Sequence, residues 1–162
     1  MSRIEAAKLF ATQAHKGQVR KYTGDEYIVH PIAVAKIAND AMGDLSSPEV
    51  VIAALLHDTV EDTPVTIDQI QMLFGDKVAK YVWFLTDADN FIGNRKTRKA
   101  ITRARLQHAP LEAKVIKLAD IYHNSLSIAK YDKKFFEVFK HETRALIDAM
   151  FPDGQDYVEI NW

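Results

Sequence analysis

The sequence predicts an all-α fold, a single helical bundle of about seven or eight helices formed by residues 1–162. Three observations lead to this prediction. Apolar residues recur every three to four positions along most of the chain, the period of a helix with one buried face. Ser or Thr followed three positions later by Glu or Gln marks several helix starts, and Pro and Gly stand where helices begin and end. No internal repeat, low-complexity segment or long linker divides the sequence, which favours one domain.

The N-terminal part contains two predicted helices separated by a non-helical segment. Ser2 and Glu5 form a capping box for the first helix. Residues 18–28 lack a helical period and contain a glycine, which predicts a loop or a small β-hairpin. His30 directly precedes Pro31, a favoured first helical residue, so we expect His30 at the mouth of the second helix.

The next predicted helix is the central one. Ser46 and Glu49 frame a second capping box, and the apolar residues 50–56 predict a helix that is buried on nearly every side. Thr66 and Gln69 form a third capping box, for a short helix that ends before a glycine. A further helix with several aromatic residues follows.

The C-terminal part begins with a polar break at residues 87–93. Residues 95–108 are basic and predicted helical, with Ile101 and Ala104 on the inner side. Pro110 opens the next helix, and a last amphipathic helix follows it.

Composition excludes several classes of protein. The hydrophobic content of 48% and charged content of 27% are ordinary for a globular domain. The net charge of -1 provides no general attraction to nucleic acid or to an anionic membrane. The sequence has no cysteine, so disulfides, thiolate metal sites and cysteine nucleophiles are excluded. No stretch approaches the roughly 20 apolar residues that cross a bilayer, and no signal sequence is present, so we expect a cytoplasmic protein.

One stretch suggests chemistry. The apolar residues 50–56 end abruptly at His57 and Asp58, and Glu61 and Asp62 follow within one helical turn. Burial of the apolar part would hold the polar part rigidly at a cleft. Because Glu61 lies four positions after His57, a continuing helix would place both on one face. The stretch therefore resembles half of a metal site with its acid–base groups attached.

Four candidate metal ligands emerge from the whole chain: His30, His57, Asp58 and Asp120. Two imidazoles and two carboxylates suit Mn²⁺, Fe²⁺ or Zn²⁺ better than Ca²⁺, which prefers oxygen ligands alone. Taken singly, each has an ordinary structural explanation, such as a helix cap or an ion-pair partner. The combination of all four carries the metal hypothesis.

The chain resembles the HD-domain metal-dependent phosphohydrolases, whose pattern H…HD…D matches these four residues in order. The flanking segments resemble the hydrolase domain of RelA/SpoT-type proteins: AHKGQVRK (14–21), YIVHP (27–31), AALLHDTVEDT (53–63), FG (74–75) and IKLAD (116–120) with Asn124. The resemblance covers residues 5–150. Because the chain has no room for a synthetase domain, it is similar to the stand-alone small alarmone hydrolases, which remove the 3′-pyrophosphate from (p)ppGpp in the stringent response.

The resemblance implies a role for each matching residue. His30, His57, Asp58 and Asp120 would hold one Mn²⁺, with Fe²⁺ or Zn²⁺ as possible substitutes. Glu61 and Asp62 would orient or deprotonate the attacking water; the ordinary explanation of this pair is a solvated turn. Arg20 and Lys21 would meet the nucleotide through phosphate charge or base stacking, and Asn124 would bond the ribose-phosphate region.

The basic stretch at residues 95–105 offers further cations for a substrate with four or five phosphates. We select Arg98 as the substrate-binding residue there; an exposed charged helix is the equally simple explanation. His15, His108, His123 and His141 are not assigned to the metal.

Several functions stay open at this point. The segment around Tyr122 and His123 departs from the sequence that is typical of RelA/SpoT hydrolases, so the base preference stays open and an adenine alarmone such as (p)ppApp is an alternative substrate. The same residues would also fit an HD-type phosphohydrolase that acts on a different nucleotide, or a non-catalytic alarmone-binding or antitoxin-like protein. We expect a small-molecule nucleotide partner, no nucleic acid and no membrane. The sequence leaves the oligomeric state open.

Overall fold

A computed structural model of the protein describes residues 1–87 and 91–153. The described residues form eight α-helices of at least eight residues and one single-turn helix, which confirms the all-α prediction. The helices are α1 (Arg3–Ala14), α2 (Val29–Met42), α3 (Pro48–Leu56), the single-turn α4 (Thr59–Asp62), α5 (Ile67–Phe74), α6 (Asp76–Leu85), α7 (Arg95–Gln107), α8 (Leu111–Tyr131) and α9 (Lys133–Met150). Within the described residues, none of these helices combines the length and apolarity that crossing a bilayer requires.

Helix α3 lies at the centre of the bundle. Its side chains from Val50 to Leu56 are buried except for the partly buried Val51. It packs against α1, α2 and α6 and also contacts α8. This confirms the prediction of a central buried helix, and it means that whatever follows Leu56 is held by a rigid anchor.

The helix starts follow the capping predictions at two of three places. Ser2 with Glu5, and Thr66 with Gln69, make complete capping boxes. The prediction for Ser46 is wrong. The Ser46 hydroxyl donates to Oδ1 of Asn39 at 2.7 Å, and Ser47 caps α3 instead.

Two further expectations need correction. Helix α2 begins at Val29, so His30 lies inside the first turn and not ahead of it. On α7 the buried side chains are Thr102 and Leu106, whereas Ala104 is exposed. The buried face thus lies one to two positions away from the predicted one. The predicted polar break includes residues 88–90, which lie outside the described residues.

The segment between α1 and α2 forms a tight loop with one antiparallel bridge, between Val19 and Glu26. The Arg20 amide donates to the Asp25 carbonyl at 2.8 Å, and the Tyr27 amide donates to the Gln18 carbonyl at 3.0 Å. The predicted hairpin is therefore present in minimal form. Its backbone bonds fix the positions from which the Arg20 and Tyr27 side chains extend toward the centre of the molecule.

Candidate metal centre

His57 occupies the point where the buried helix α3 ends. Its Nδ1 lies 2.6 Å from the carbonyl oxygen of Ala54. Because a carbonyl only accepts, Nδ1 carries a proton, which leaves Nε2 as the nitrogen that can bind a metal when the ring is neutral. This Nε2 is buried and has no hydrogen-bond partner. A buried Nε2 without a hydrogen-bond partner is what an imidazole positioned to bind a metal presents, so His57 fits a metal ion.

Three other side chains bring a donor atom to the same point. Nε2 of His30, on α2, lies 2.9 Å from Oδ1 of Asp120, on α8. Oδ2 of Asp58 lies 3.1 Å from Nε2 of His57 and 3.6 Å from Nε2 of His30. The four donor atoms all lie within 4.8 Å of one another. Three chain segments, which are α2, the junction of α3 and α4, and α8, thus converge on one group that could hold a metal ion.

The charges of the group also suit a cation. Burial alone would raise the pKa of Asp58, but the adjacent His57 outweighs it and lowers that pKa to about 2. Burial opposes ionisation of Asp120 too, but Lys117 and the two imidazoles hold its pKa well below the usual value. Both carboxylates are therefore ionised at neutral pH, as metal ligands must be. A set of two imidazole nitrogens and two carboxylate oxygens suits a first-row divalent ion.

Tyr27 and Lys117 hold the two carboxylates, and sequence reasoning gave neither a role. The Tyr27 hydroxyl donates to Oδ2 of Asp58 at 2.6 Å. The Lys117 ammonium lies 3.1 Å from Oδ2 of Asp120 and 4.0 Å from Asp87. Burial would lower the pKa of Lys117, but Asp87 and Asp120 outweigh it and raise that pKa above its ordinary value. The signal for Lys117 was its position three residues before Asp120, on the same helical face.

Glu61 and Asp62 line the cleft into which Asp58 and Asp120 open. Oε1 of Glu61 accepts the backbone N–H of Asp87 at 2.8 Å. Desolvation by the cleft wall, together with the charges of Asp87 and Asp58, raises the pKa of Glu61 to about 7. The carboxylate is also exposed to solvent in the cleft, and water screens part of this upward shift. A carboxylate with this tendency is suited to take a proton near neutral pH.

Asp62 is held from the loop between α1 and α2. The Gln18 amide donates to its Oδ2 at 3.2 Å, and Gln18 in turn accepts from Nδ1 of His15 at 2.8 Å. Burial and the charge of Asp58 raise the pKa of Asp62. His15 also packs on the Tyr27 ring, with 4.8 Å between ring centroids. His15 therefore supports the site through Gln18 and Tyr27 and lies outside the ligand group.

His123 lies directly behind the group, although sequence reasoning set it aside. Its Nδ1 is 2.7 Å from Nδ1 of His30. Burial, with the adjacent charges of His30 and Arg20, lowers the pKa of His123 to about 4, so its ring is neutral at pH 7. The prediction compared His123 with Asn124, its neighbour in sequence. Comparison with Asp120, three residues earlier on the same face, would have pointed to the site.

The predicted nucleotide contacts divide between two hollows beside the cleft. Arg20 donates to Oδ1 of Asn124 at 2.9 Å, and both line one hollow together with Lys21. Asn124 also donates to Oδ1 of Asp120 at 3.0 Å, which links this hollow to the ligand group. The structure therefore brings Arg20, Lys21 and Asn124 together.

Arg98 lies apart from these three residues. It donates to the carbonyl of Gly93 at 2.9 Å and lines the hollow on the other side, next to Glu61 and Asp62. Two other cations of the same helix, Lys99 and Arg103, line the central cleft itself. The basic helix α7 thus faces the site, and Lys99 and Arg103 line it in addition to Arg98, the residue selected from the sequence.

Comparison with known proteins places these observations in a family context. A family model described as an HD domain matches residues 7–146. The chain is 42% identical over 127 residues to the human guanosine-3′,5′-bis(diphosphate) 3′-pyrophosphohydrolase MESH1, covering 75% of this chain and 66% of that protein. The zebrafish (Danio rerio) protein of the same name is 40% identical over 116 residues, covering 71% of this chain and 63% of its own length. The match thus spans just under two thirds of these relatives.

A longer relative and two solved structures agree with this. The bifunctional (p)ppGpp synthase/hydrolase SpoT of Escherichia coli K12 is 36% identical over 140 residues, which are 83% of this chain and 19% of SpoT. A solved metazoan ortholog of SpoT, described as hydrolyzing ppGpp, superposes with a TM-score of 0.81 at 25% identity, covering 93% of this chain and 86% of that one. A crystal structure from Listeria monocytogenes EGD-e superposes with a TM-score of 0.66 at 34% identity, covering 81% and 84%.

Proposed function

This chain belongs to the HD-domain family, and we propose that it hydrolyses the 3′-pyrophosphate of alarmone nucleotides, converting (p)ppGpp and water to GDP or GTP and pyrophosphate. The observation that carries the proposal is the convergence of four ligand atoms within 4.8 Å at the floor of a cleft that Glu61 and Asp62 also line. The 40–42% identity to proteins named for this activity supports the same substrate class.

His30, His57, Asp58 and Asp120 would hold the metal, for which we propose Mn²⁺, with Fe²⁺ and Zn²⁺ as ions that the same donors accept. Bound there, a divalent ion lowers the pKa of water and offsets charge that grows on the phosphoryl group. Tyr27 and Lys117 keep the carboxylates in place, because Tyr27 donates to Oδ2 of Asp58 and Lys117 donates to Oδ2 of Asp120.

We assign proton transfer to Glu61 and Asp62. Glu61, with its raised pKa, takes a proton from the attacking water, and Asp62, fixed by Gln18, orients that water. The water oxygen bonds to the phosphorus attached to ribose O3′. The bond between that phosphorus and O3′ breaks, and O3′ takes up a proton from solvent. The products are pyrophosphate and a nucleotide with a free 3′-hydroxyl.

Two groups of cations flank this centre and would hold the rest of the substrate. Arg20, Lys21 and Asn124 form one side, where the guanidinium lies 5.8 Å from the Tyr27 ring centroid and can contact phosphate or stack on a base. Arg98 belongs to the other side, beside Glu61. A nucleotide that carries phosphates on both the 3′ and the 5′ side of its ribose can contact both groups of cations at once.

We propose that the chain forms one HD-type hydrolase domain, which acts in the cytoplasm on a small-molecule nucleotide. A continuous cluster of buried hydrophobic side chains that reaches from Ala7 to Phe151 supports a single domain.

The test is turnover of ppGpp, pppGpp and ppApp by purified protein with EDTA and with added Mn²⁺, followed by product identification. We expect pyrophosphate with GDP or GTP, only with the metal. The matched variant is Glu61→Gln, which should still bind metal and nucleotide but lose turnover. A preference for ppApp would mean that the substrate carries adenine, with the same hydrolysis of the 3′-pyrophosphate. Release of single phosphates or of 5′-products would indicate another HD-type phosphohydrolase. Tight ppGpp binding without turnover in the wild type would indicate a binding protein and refute the enzyme.

A further inference from the structure

The His30 ring is fully buried and both of its nitrogens have a close partner. Nε2 faces Asp120 within the ligand group, at 2.9 Å from Oδ1. Nδ1 faces the Nδ1 of His123 at 2.7 Å, and the two rings are nearly parallel, with 28° between their planes and 5.0 Å between their centroids. A contact between two imidazole nitrogens at this distance is a hydrogen bond, which holds one proton between them.

The position of that proton decides whether His30 can bind a metal. A ligating Nε2 must carry a lone pair, so the proton of the neutral His30 ring must be on Nδ1. Nδ1 of His30 then donates, and Nδ1 of His123 must accept. In the reverse arrangement His123 donates, which leaves the His30 proton on Nε2 and blocks that ligand. His123 can therefore serve the site only as an acceptor.

The two histidine ligands obtain their partners in different ways. His57 donates to the carbonyl of Ala54, three residues earlier in the chain, so the helical backbone supplies its partner. His30 depends on a side chain 93 residues away. That side chain lies on α8, three positions after Asp120, so one turn of α8 supplies a direct ligand and the partner of another.

We propose that His123 is a positioning residue for the metal centre, which accepts the Nδ1–H of His30, fixes the proton on that nitrogen and aims Nε2 at the ion. The inference rests on the metal-binding part of the proposed function. Removal of such a partner of a ligating histidine weakens metal affinity by about 10–100-fold in other metal sites. His123 touches no substrate in this scheme and acts only through His30.

The test compares side chains that keep or lose the acceptor at the position of Nδ1. The amide oxygen of Asn occupies nearly that position, whereas Leu has a similar size and no acceptor. We expect His123→Leu to raise the Mn²⁺ dissociation constant about 10–100-fold, and His123→Asn to stay close to the wild type. The constant is measured by titration of metal-free protein with Mn²⁺, with free ion followed by electron paramagnetic resonance. His141→Gln, at an exposed histidine of α9, is the control for loss of an imidazole and should leave the constant unchanged.

The outcomes separate this inference from the proposed function. If the wild type binds Mn²⁺ and His123→Leu binds it equally well, the positioning role is wrong and the proposed function stands. If His123→Asn is as weak as His123→Leu, the acceptor is not what matters and the inference fails. A wild type that binds no Mn²⁺, Fe²⁺ or Zn²⁺ overturns the metal centre and this inference together. Should His123→Leu not fold, His123→Gln replaces it, because its amide oxygen lies one bond too far and should also weaken binding.

Discussion

Replacement of Lys117 by Met tests how much the buried charge balance of the cleft contributes to stability. The Lys117 ammonium lies 3.1 Å from Oδ2 of Asp120, and Asp87 lies 4.0 Å away on the other side. Met keeps most of the aliphatic stem and removes the charge. In metal-free protein the change leaves Asp120 ionised and without its nearest cation, among several other carboxylates.

The size of the effect follows from the burial of the pair. Removing one partner of a buried ion pair costs about 3–5 kcal/mol. The Lys117 side chain keeps 13% of its exposure and Asp120 keeps 10%, so we take the lower end, about 3 kcal/mol. For a protein of this length that corresponds to a fall in unfolding temperature of roughly 6–12 °C. Saturating Mn²⁺ should restore part of the loss, because the ion supplies positive charge to the same carboxylate.

The assay is thermal unfolding in EDTA, monitored by circular dichroism, and then with Mn²⁺ added. The matched control is Lys36→Met, since Lys36 pairs with Asp40 at a similar distance, 2.9 Å, but on the surface, where the two side chains are 77% and 63% exposed. A surface pair of this kind contributes about 0.5 kcal/mol or less. Equal shifts for Lys117→Met and Lys36→Met would refute the claim that Lys117 balances buried charge.

Four other predictions concern catalysis and metal binding. Glu61→Gln should lower kcat about 10²–10⁴-fold. It should also abolish the rise of kcat/KM with pH up to about 7, because only the ionised carboxylate takes a proton; an unchanged pH profile would contradict the role. Mn²⁺ at about 100 times its dissociation constant should stabilise EDTA-treated protein by ~2.7 kcal/mol in scanning calorimetry, and His57→Ala should lose that gain. Arg20→Ala should raise KM for ppGpp about tenfold, as loss of a charge-assisted bond of about 1.5 kcal/mol implies; a fall in kcat alone would argue against substrate binding. Tyr27→Phe should weaken Mn²⁺ binding about 10–100-fold in calorimetric titration, because its hydroxyl holds Asp58; unchanged affinity would rule this out.

The fold was largely predictable because its signals are local. A helix start needs a hydroxyl and an acid or amide three residues apart, and a buried helix needs an unbroken apolar run. The error at Ser46 shows the limit of that reasoning, since Ser47 offers the same hydroxyl one position later. Pro48 distinguishes the two serines. Because proline favours the first helical position, the residue before it, Ser47, is expected to be the cap, as the structure shows.

Candidate ligands could be proposed from a pattern along the chain, whereas the distant partners of those ligands could not. The absence of cysteine leaves imidazole and carboxylate to bind a first-row metal ion, but the chain has six histidines and 22 acidic residues, so the order H…HD…D was needed to select four of them. The residues that hold the ligands come from elsewhere: Tyr27 reaches Asp58 across 31 positions and His123 reaches His30 across 93. No periodicity within one segment predicts which of two distant helices will face each other at that point.

Helix α8 shows why the residues around the metal ligands depend on the register of a single helix. Lys117 lies three positions before Asp120, and His123 and Asn124 lie three and four positions after it, so all three are neighbours of Asp120 on one side of a single helix. Lys117 balances the charge of Asp120, and Asp120 offers a ligand. His123 contacts His30, and Asn124 contacts the Arg20 side chain. A shift of α8 by one residue would rotate this face by about 100° and remove all four contacts together. The packing of α8 against α2 and α6, which fixes that register, is therefore as much a part of the site as the ligands themselves.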